Sequence, residues 1–429
     1  MVLKTRILAL VDDLRGSYWF IPSIIALTGF GAGLGLVYTD AVLGDAWLGR
    51  LEWFYGSRPE GARALLSTVA GSTITVAGVV FSITLAAVTY ASGQYGPRLL
   101  SNFMRDRGNQ VTLGVFIGTF LYCLVVLRTI RSAEETSADT GGALREAFVP
   151  HIAMFGALAL AIVSIAMLIY FVHHVTVSIH VNNVIARIGC GLIADIERRG
   201  DAEGMQGNFD HAMTAQSGAT GAPVPSPHTG YIAAFDEDRL LEVATERGAQ
   251  ITVLKIPGDF VHRGQPLLMA APGMDEDLNG YVAFFAFARK RSALQDMRFL
   301  IDELVEIAVR ALSPGVNDPF TAMACIDWLG AALIDLSAMP AKPPRLCDEG
   351  GRVRLIVPRL VFADYLHSAV GQLRPYATRD RNAGAHLVRT LDAVRDGVAN
   401  GQHRMLIEAE KDRVAGALAA VQKTDIATR

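Results

Sequence analysis

Four long apolar segments constrain what this chain can fold into more than any other feature of its sequence. They run approximately over residues 18–38, 65–90, 111–127 and 152–172, and none contains Asp, Glu or Lys. About 17 to 25 helical residues cross a hydrocarbon core. Because backbone polar groups in lipid must bond within their own segment, we expect four transmembrane helices.

The composition indicates a water-facing part beside the membrane part. The 429 residues are 51% hydrophobic and 19% charged, which is too polar for a chain buried entirely in lipid. The net charge of −3 gives no reason to expect nucleic acid as a partner. Four scattered cysteines lack metal-ligand spacing, so we expect reduced thiols and neither disulfides, metal nor cofactor.

Changes in composition and in hydrophobic periodicity divide the chain into five parts. We expect an α-helical polytopic membrane protein whose cytoplasmic α+β domain contains a small barrel-sandwich-like β unit. The predicted parts are a transmembrane domain at 1–175, a helical stalk at 176–200, a flexible linker at 201–229, the β unit at 230–280 and a mainly helical region at 281–429.

Lys and Arg near the segment ends predict the orientation. With the N-terminus inside, the inner side collects more of them than the outer side, and the excess favours cytoplasmic loops. An even number of spans then places both termini in the cytoplasm. The inner set is Lys4, Arg6, Arg15, Arg98, Arg105, Arg107, Arg187, Arg198 and Arg199.

The second apolar segment carries a stripe of small residues, which we call the seam. At 3.6 residues per turn, one side of this helix collects Ser67, Gly71, Thr75, Gly78, Ser82, Ala86 and Thr89. Small faces in lipid commonly pack helices together. Hydroxyls and carbonyls on such a face can also replace water around a permeating ion. Both interpretations are open from the sequence, and Thr68, Ser72, Thr73 and Thr84 add to the hydroxyl density.

The loop at 93–110 concentrates positive charge between two spans. Arg98, Arg105 and Arg107 lie there, on the inner side in the predicted orientation. They can serve as a topology signal that contacts anionic headgroups. Alternatively they form an electropositive vestibule at the inner mouth of a pathway, which would favour anions.

RALSPGVNDPFTA, at 310–322, predicts a junction between two helices. Ser313-Pro314-Gly315 breaks the first helix, and Asp318 before Pro319 caps the second. We expect Arg310, Asn317, Asp318 and Thr321 to lie at this junction. They could bind a small anion at the helix N-terminus or contact a neighbouring subunit.

The chain shows no sequence motif of a known catalytic site. GxSxG, HExxH, a P-loop and a GxGxxG after a strand are missing, and His367, His386 and His403 have no acidic or cysteine partner at useful spacing. We therefore expect no enzymatic activity. Spans without carboxylates also disfavour a proton-coupled transporter.

Three stretches resemble one bacterial family of predicted membrane proteins, catalogued as domain of unknown function 2254. They are GSTITVAGVVFSITLAAVTYASGQYGPRLLSNFMRDRGNQ (71–110), PGDFVHRGQPL (257–267) and RALSPGVNDPFTAMACIDWL (310–329). The resemblance implies a polytopic inner-membrane protein with a cytoplasmic C-terminal domain. It implies no activity and no site residues.

A narrower resemblance lies within the β unit. GYI at 230–232, followed by PGDFVHRGQPLL, is similar to the half-barrel of biotinyl- and lipoyl-like domains. The Met-Lys-Met hairpin of those domains has no counterpart, and Lys255 precedes the turn. We therefore expect a structural unit without attached biotin or lipoate.

Together these features predict an oligomeric, channel-like protein of the bacterial inner membrane. Its passive ion pathway would be lined by the second helix and supported or gated by the cytoplasmic domain. The alternative is a membrane-anchored sensor or scaffold that transports nothing. The expected partners are the lipid bilayer, further copies of the chain and inorganic ions.

Overall fold

The computed structural model describes residues 17–43, 59–95, 106–131, 148–203, 221–271 and 278–427. These residues form two compact units. The membrane unit comprises the described residues within Asp13–Gly93 and Pro97–His180, and the C-terminal unit consists mainly of those within Val181–Arg429.

Four long helices make up the described part of the membrane unit. Each is longer than the apolar segment that predicted it, because the helical hydrogen-bond pattern continues into the polar ends. They are α1 Phe20–Leu43, α2 Pro59–Tyr95, α3 Arg107–Thr129 and α4 His151–Ile179. All four are long and apolar enough to cross a membrane.

Glycines let α1 and α3 pack closely. The sequence carries two overlapping GxxxG pairs in α1, and the structure separates their roles. A Cβ on Gly29 would lie 2.6 Å from the carbonyl oxygen of Gly118, and one on Gly33 would lie 3.3 Å from Val125. Gly31 and Gly35 have open space around them. One pair therefore holds α1 against α3, and the other remains on the outside of the unit.

Helix α1 carries a carboxylate beyond the predicted span 18–38, which itself contains none. Helix α1 continues past residue 38 and includes Asp40, which is only 6% exposed. Its two carboxylate oxygens accept hydrogen bonds from the backbone amides of Ile152 and Ala153, at 3.0 and 2.9 Å. Asp40 thus caps the start of α4, where amides lack partners within the helix.

The C-terminal unit begins with α5, Val181–Glu203, one residue after α4 ends. His180 has extended backbone torsions and separates the two helices, so the predicted stalk is a new helix. Strand β1, Ala222–Pro225, lies inside the segment predicted as a flexible linker. It pairs antiparallel with β5, and this distant partner explains why local composition indicated a linker.

Two sheets and one short helix form the α/β part of this unit. One sheet has five strands in the order β1-β5-β3-β8-β7, and the other has three in the order β4-β2-β6. The remaining elements are β2 Gly230–Phe235, α6 Glu237–Glu246, β3 Ile251–Val253, β4 Phe260–Val261, β5 Pro266–Ala270, a 3₁₀ helix Leu278–Phe284, β6 Phe285–Ala288, β7 Arg345–Cys347 and β8 Val353–Ile356.

The β region is not confined to the predicted 230–280. Strand β8 pairs in parallel with β3 and adds the β7–β8 hairpin to the five-stranded sheet. That hairpin lies in the segment predicted to be mainly helical. The barrel-sandwich resemblance therefore remains a prediction, since strands from far along the chain complete the sheet.

Helices form the rest of the C-terminal unit. They are α7 Arg298–Ala311, α8 Pro319–Ala338, α9 Phe362–Leu366 with a π-helical turn His367–Gly371, α10 Arg374–Ala377, α11 Arg381–Gly397 and α12 Gly401–Ala427. Helix α8 is a fifth helix long and apolar enough to span a membrane. It packs against α5, α7 and α11, which accounts for its apolar character within this unit.

Candidate functional site

The seam faces away from the other helices of the membrane unit. Each of its seven residues is exposed, and a Cβ on Gly71 or Gly78 would meet nothing within 4 Å. The opposite side of α2 is buried against the unit. It contains Ala62, Leu66, Ala70, Thr73, Ala77, Val80 and Thr84. The seam therefore does not pack against another described helix of the same chain.

The seam hydroxyls bond to carbonyls of their own helix. Thr75 donates to the Gly71 oxygen at 2.7 Å, and Ser82 donates to the Gly78 oxygen at 2.9 Å. Thr89 donates to Leu85 at 2.9 Å in the same way. These bonds use each hydroxyl proton and leave the oxygen lone pairs available as acceptors. Such a surface offers ligands to water or a cation.

The added hydroxyls divide between the two sides of α2. Thr68 and Ser72 are exposed, and each donates to a carbonyl of its own helix. Thr73 and Thr84 are buried inside the unit, at 5% and 4% exposure. Thr84 donates its hydroxyl proton to the Val80 carbonyl, which allows the side chain to be buried among the packed helices. The hydroxyl density of the sequence therefore reflects two surfaces.

Only one of the three predicted inner-mouth arginines lies in the described part of the chain. Arg107 is exposed and is the first residue of α3. Arg98 and Arg105 lie outside the described residues. An apolar pocket next to Arg107 is lined by Gly108, Val111, Met167 and Tyr170.

A partly buried Asp–His pair lies at the same end of the unit. Asp106 caps α3 by accepting from the Asn109 amide at 3.2 Å, and it also lies 2.8 Å from His174 Nε2. The His174 ring stacks on Tyr170. The partners are 68 residues apart, and no local spacing shows their contact. The pair ties the start of α3 to the end of α4.

The junction at 310–322 is built as a helix cap. Asp318 accepts from the Thr321 amide at 3.1 Å and from its hydroxyl at 2.5 Å. Asn317 has a positive φ of 50°, in the left-handed region that Asn tolerates. Since Asp318 already occupies the helix N-terminus, this end offers little to a bound anion. Ser313 donates to the Arg310 carbonyl at 2.6 Å, which ends α7.

Two of the histidines that have no partner nearby in the sequence contact polar side chains far away in the sequence. His386 Nε2 lies 2.6 Å from Asp327, and His403 Nδ1 lies 2.7 Å from the Ser337 hydroxyl. Both contacts join different helices of the C-terminal unit. Within the described ranges, no three His, Cys, Asp or Glu side chains lie close enough together to hold a metal. Cys190 and Cys347 are exposed free thiols, while Cys123 and Cys325 are buried ones.

Comparison with known proteins identifies the family. The family model described as "Predicted membrane protein (DUF2254)" matches residues 15–393. The chain belongs to this family. It is 32% identical over 415 residues to the uncharacterized protein Rv1290c of Mycobacterium tuberculosis H37Rv and to the uncharacterized protein Mb1321c of Mycobacterium bovis. The match covers 94% of this chain and 76% of each relative. No solved structure matches.

Proposed function

We propose that this member of the family self-associates in the membrane and forms a passive ion pathway lined by the seam of α2. The observation that carries the proposal is the outward direction of the seam, opposite the face buried in its own unit. A pathway lined by these residues requires other copies to close it. Small side chains let helices of neighbouring copies approach closely. Because they are short, they also leave space in front of the helix where several copies surround a pathway.

The hydroxyl chemistry favours cations or water over anions at the seam. Thr75, Ser82 and Thr89 donate their protons to backbone carbonyls and present oxygen lone pairs outward. The oxygen ligands of a selectivity pathway act on cations in this way. Arg107 at the end of α3 would act on ions only at the mouth.

The buried carboxylates support passive rather than proton-coupled movement. Asp40 accepts from two backbone amides, and Asp106 accepts from the Asn109 amide and contacts His174. Both groups hold helix ends in place. A coupled transporter needs a carboxylate that takes up and releases a proton along the pathway.

The proposal includes the predicted location and orientation. The protein would lie in the bacterial inner membrane with both termini and the C-terminal unit in the cytoplasm. That unit would support or gate the pathway, and neither an enzymatic reaction nor a nucleic-acid partner forms part of the proposal.

A non-transporting anchor for a sensor or scaffold is the second candidate. It is favoured by the internal bonds of the seam hydroxyls, because a hydroxyl bonded within its own helix can face lipid at little cost. In that case the C-terminal unit would hold the activity.

Ion flux from liposomes distinguishes the two candidates. The purified protein is reconstituted, and potassium, sodium and chloride fluxes are measured separately. Ser82→Leu places bulk on the seam, and Ser72→Leu is its matched control on an exposed part of the same helix, roughly 80° away around the axis. We expect a cation flux that S82L reduces at least tenfold and S72L leaves unchanged. A folded protein without flux would favour the anchor. A flux that the two variants change equally would show that the seam does not line the pathway.

A further inference from the structure

An exposed aromatic and basic surface lies where α8 begins in the C-terminal unit. Phe320, the second residue of α8, is 75% exposed, and Val316 in the preceding loop is 39% exposed. Tyr376 is 42% exposed, with the guanidinium of Arg379 5.9 Å from its ring centre. Arg381 is exposed as well. Large apolar side chains held in water together with arginines mark an interaction surface.

Contacts between helices show that these residues share one end of the unit. A Cβ on Gly189 of α5 would lie 2.3 Å from the Trp328 ring of α8, and Glu197 lies within electrostatic range of Asp335. Residue numbers therefore rise together, and α5 and α8 run parallel. Their first residues lie at the same end of the pair.

Helix α11 runs parallel to α8 as well. His386 contacts Asp327 at 2.6 Å, and a Cβ on Gly330 would lie 2.5 Å from Thr390. Counting back along both helices places Arg381, the first residue of α11, close to the level of Phe320, and Arg379 precedes it by two residues. The starts of α5, α8 and α11 thus form one end of the C-terminal unit.

Chain connectivity links this end of the unit to a candidate membrane span. Helix α4, which is long and apolar enough to cross a membrane, ends at Ile179, and α5 begins at Val181. A single residue separates the last turn of α4 from the end of the unit that carries Phe320. The covalent link thus joins the start of α5, which lies at this end of the unit, to the end of a candidate membrane span.

We propose that residues 313–320, which end in the first turn of α8, and residues 379–381, which lead into α11, form a lipid-contact surface. Phe320 and Val316 enter the interfacial region of the membrane, and Arg379 and Arg381 bind the phosphates of anionic lipids. Aromatic side chains and arginines are typical of such interfaces. Each arginine near an anionic leaflet contributes about a fivefold preference for it.

The acids at this end are committed to helix caps. Asp318 caps α8, and Asp380 caps α11 by accepting from the Ala383 amide at 2.8 Å. Among the described residues, no carboxylate forms an ion pair with Arg379 or Arg381. The loop is held in shape, since Asn317 donates its amide proton to Ser313 at 2.9 Å and Asp318 donates to Ala311 at 2.8 Å. Phe320 is thus presented without further ordering of the loop.

A spin label at residue 320 tests this surface in the full-length protein. The exposed Cys190 and Cys347 are changed to serine, and Phe320→Cys is labelled with a nitroxide and reconstituted into liposomes with and without phosphatidylglycerol. The control is Ala399→Cys, an exposed position just beyond the other end of α11. Accessibility to oxygen and to a water-soluble nickel chelate is measured at both sites.

We expect the ratio of oxygen accessibility to nickel accessibility to be several-fold higher at residue 320 than at residue 399. Phosphatidylglycerol in the liposomes should increase this difference. Adding Arg379→Glu and Arg381→Glu should remove the phosphatidylglycerol dependence. Equal, aqueous accessibility at the two sites would overturn the proposal. Spin–spin broadening at 320 that persists in detergent would also overturn it, because the surface would then bind a second copy. Neither result depends on whether the seam conducts ions.

Discussion

At the scale of single residues, Gly258 explains the PGD turn of the family motif. Its φ is +93°, and a Cβ there would lie 2.1 Å from the carboxylate of Asp296, which is 2% exposed. That carboxylate is held by Arg291 Nε at 2.6 Å and by the Arg298 amide at 3.1 Å. Gly258→Ala should therefore destabilise the C-terminal unit by about 2–4 kcal/mol, as denaturant unfolding would measure. Gly264→Ala is the matched control, since its φ of +86° also disfavours alanine but nothing lies within 4 Å. Equal losses in the two variants would show that Asp296 does not require this glycine.

Asp348 gives the β7–β8 hairpin a dependence on pH. Hydrogen bonds from the Arg354 side chain and the Arg352 backbone lower the pKa of Asp348 to about 2. A lowered pKa contributes stability above the ordinary value near 3.9 and loses it as the pH falls towards 2. Asp348→Asn should lower the unfolding temperature at pH 6, because the amide has one acceptor oxygen where the carboxylate has two. The difference from wild type should shrink between about pH 4 and pH 2, which circular dichroism melts can follow. A difference that stays constant over this range would contradict the assignment.

At the scale of elements, two glycines in α5 make a matched pair. Gly189 is buried against Trp328 of α8, whereas Gly191 is exposed with nothing within 4 Å. Gly189→Ala should cost about 1–3 kcal/mol through overpacking. Gly191→Ala should stabilise the unit by roughly 0.5–1 kcal/mol, because alanine favours helix. Thermal unfolding of both variants checks the parallel packing of α5 and α8. A neutral G189A would show that this contact is not close.

The elements also show how far sequence reasoning reaches. The helices of the membrane unit followed from apolar length alone, because lipid allows few alternatives. Strand β1 was missed, since APVP has two prolines and no alternation, and only pairing with β5 makes it a strand. The parallel pairing of β8 with β3 joins residues about a hundred positions apart. The Asp106–His174 contact and the cap of α4 by Asp40 depend equally on tertiary packing. The small-residue periodicity of the seam could be predicted, but the direction it faces could not.

At the scale of the whole molecule, an ion pathway along the outward seam requires that water covers this surface. The small residues of the seam fit three environments: a dry interface between copies, lipid, or an aqueous pathway. Only in the aqueous pathway does water reach the seam side chains. Ser82 and Ser72 lie on either side of the middle of the segment 65–90, both exposed, with Ser82 on the seam and Ser72 beside it. The sharpest single measurement is the reaction rate of Ser82→Cys with a charged, membrane-impermeant thiol reagent in liposomes.

The reaction is run on full-length protein with Cys190→Ser and Cys347→Ser, and Ser72→Cys serves as the matched control. A thiolate forms only where water reaches the thiol, so a position facing lipid or a dry contact reacts slowly. We predict that S82C reacts at least ten times faster than S72C. Equal and slow reaction at both positions, in folded protein, would contradict a water-filled pathway along the seam.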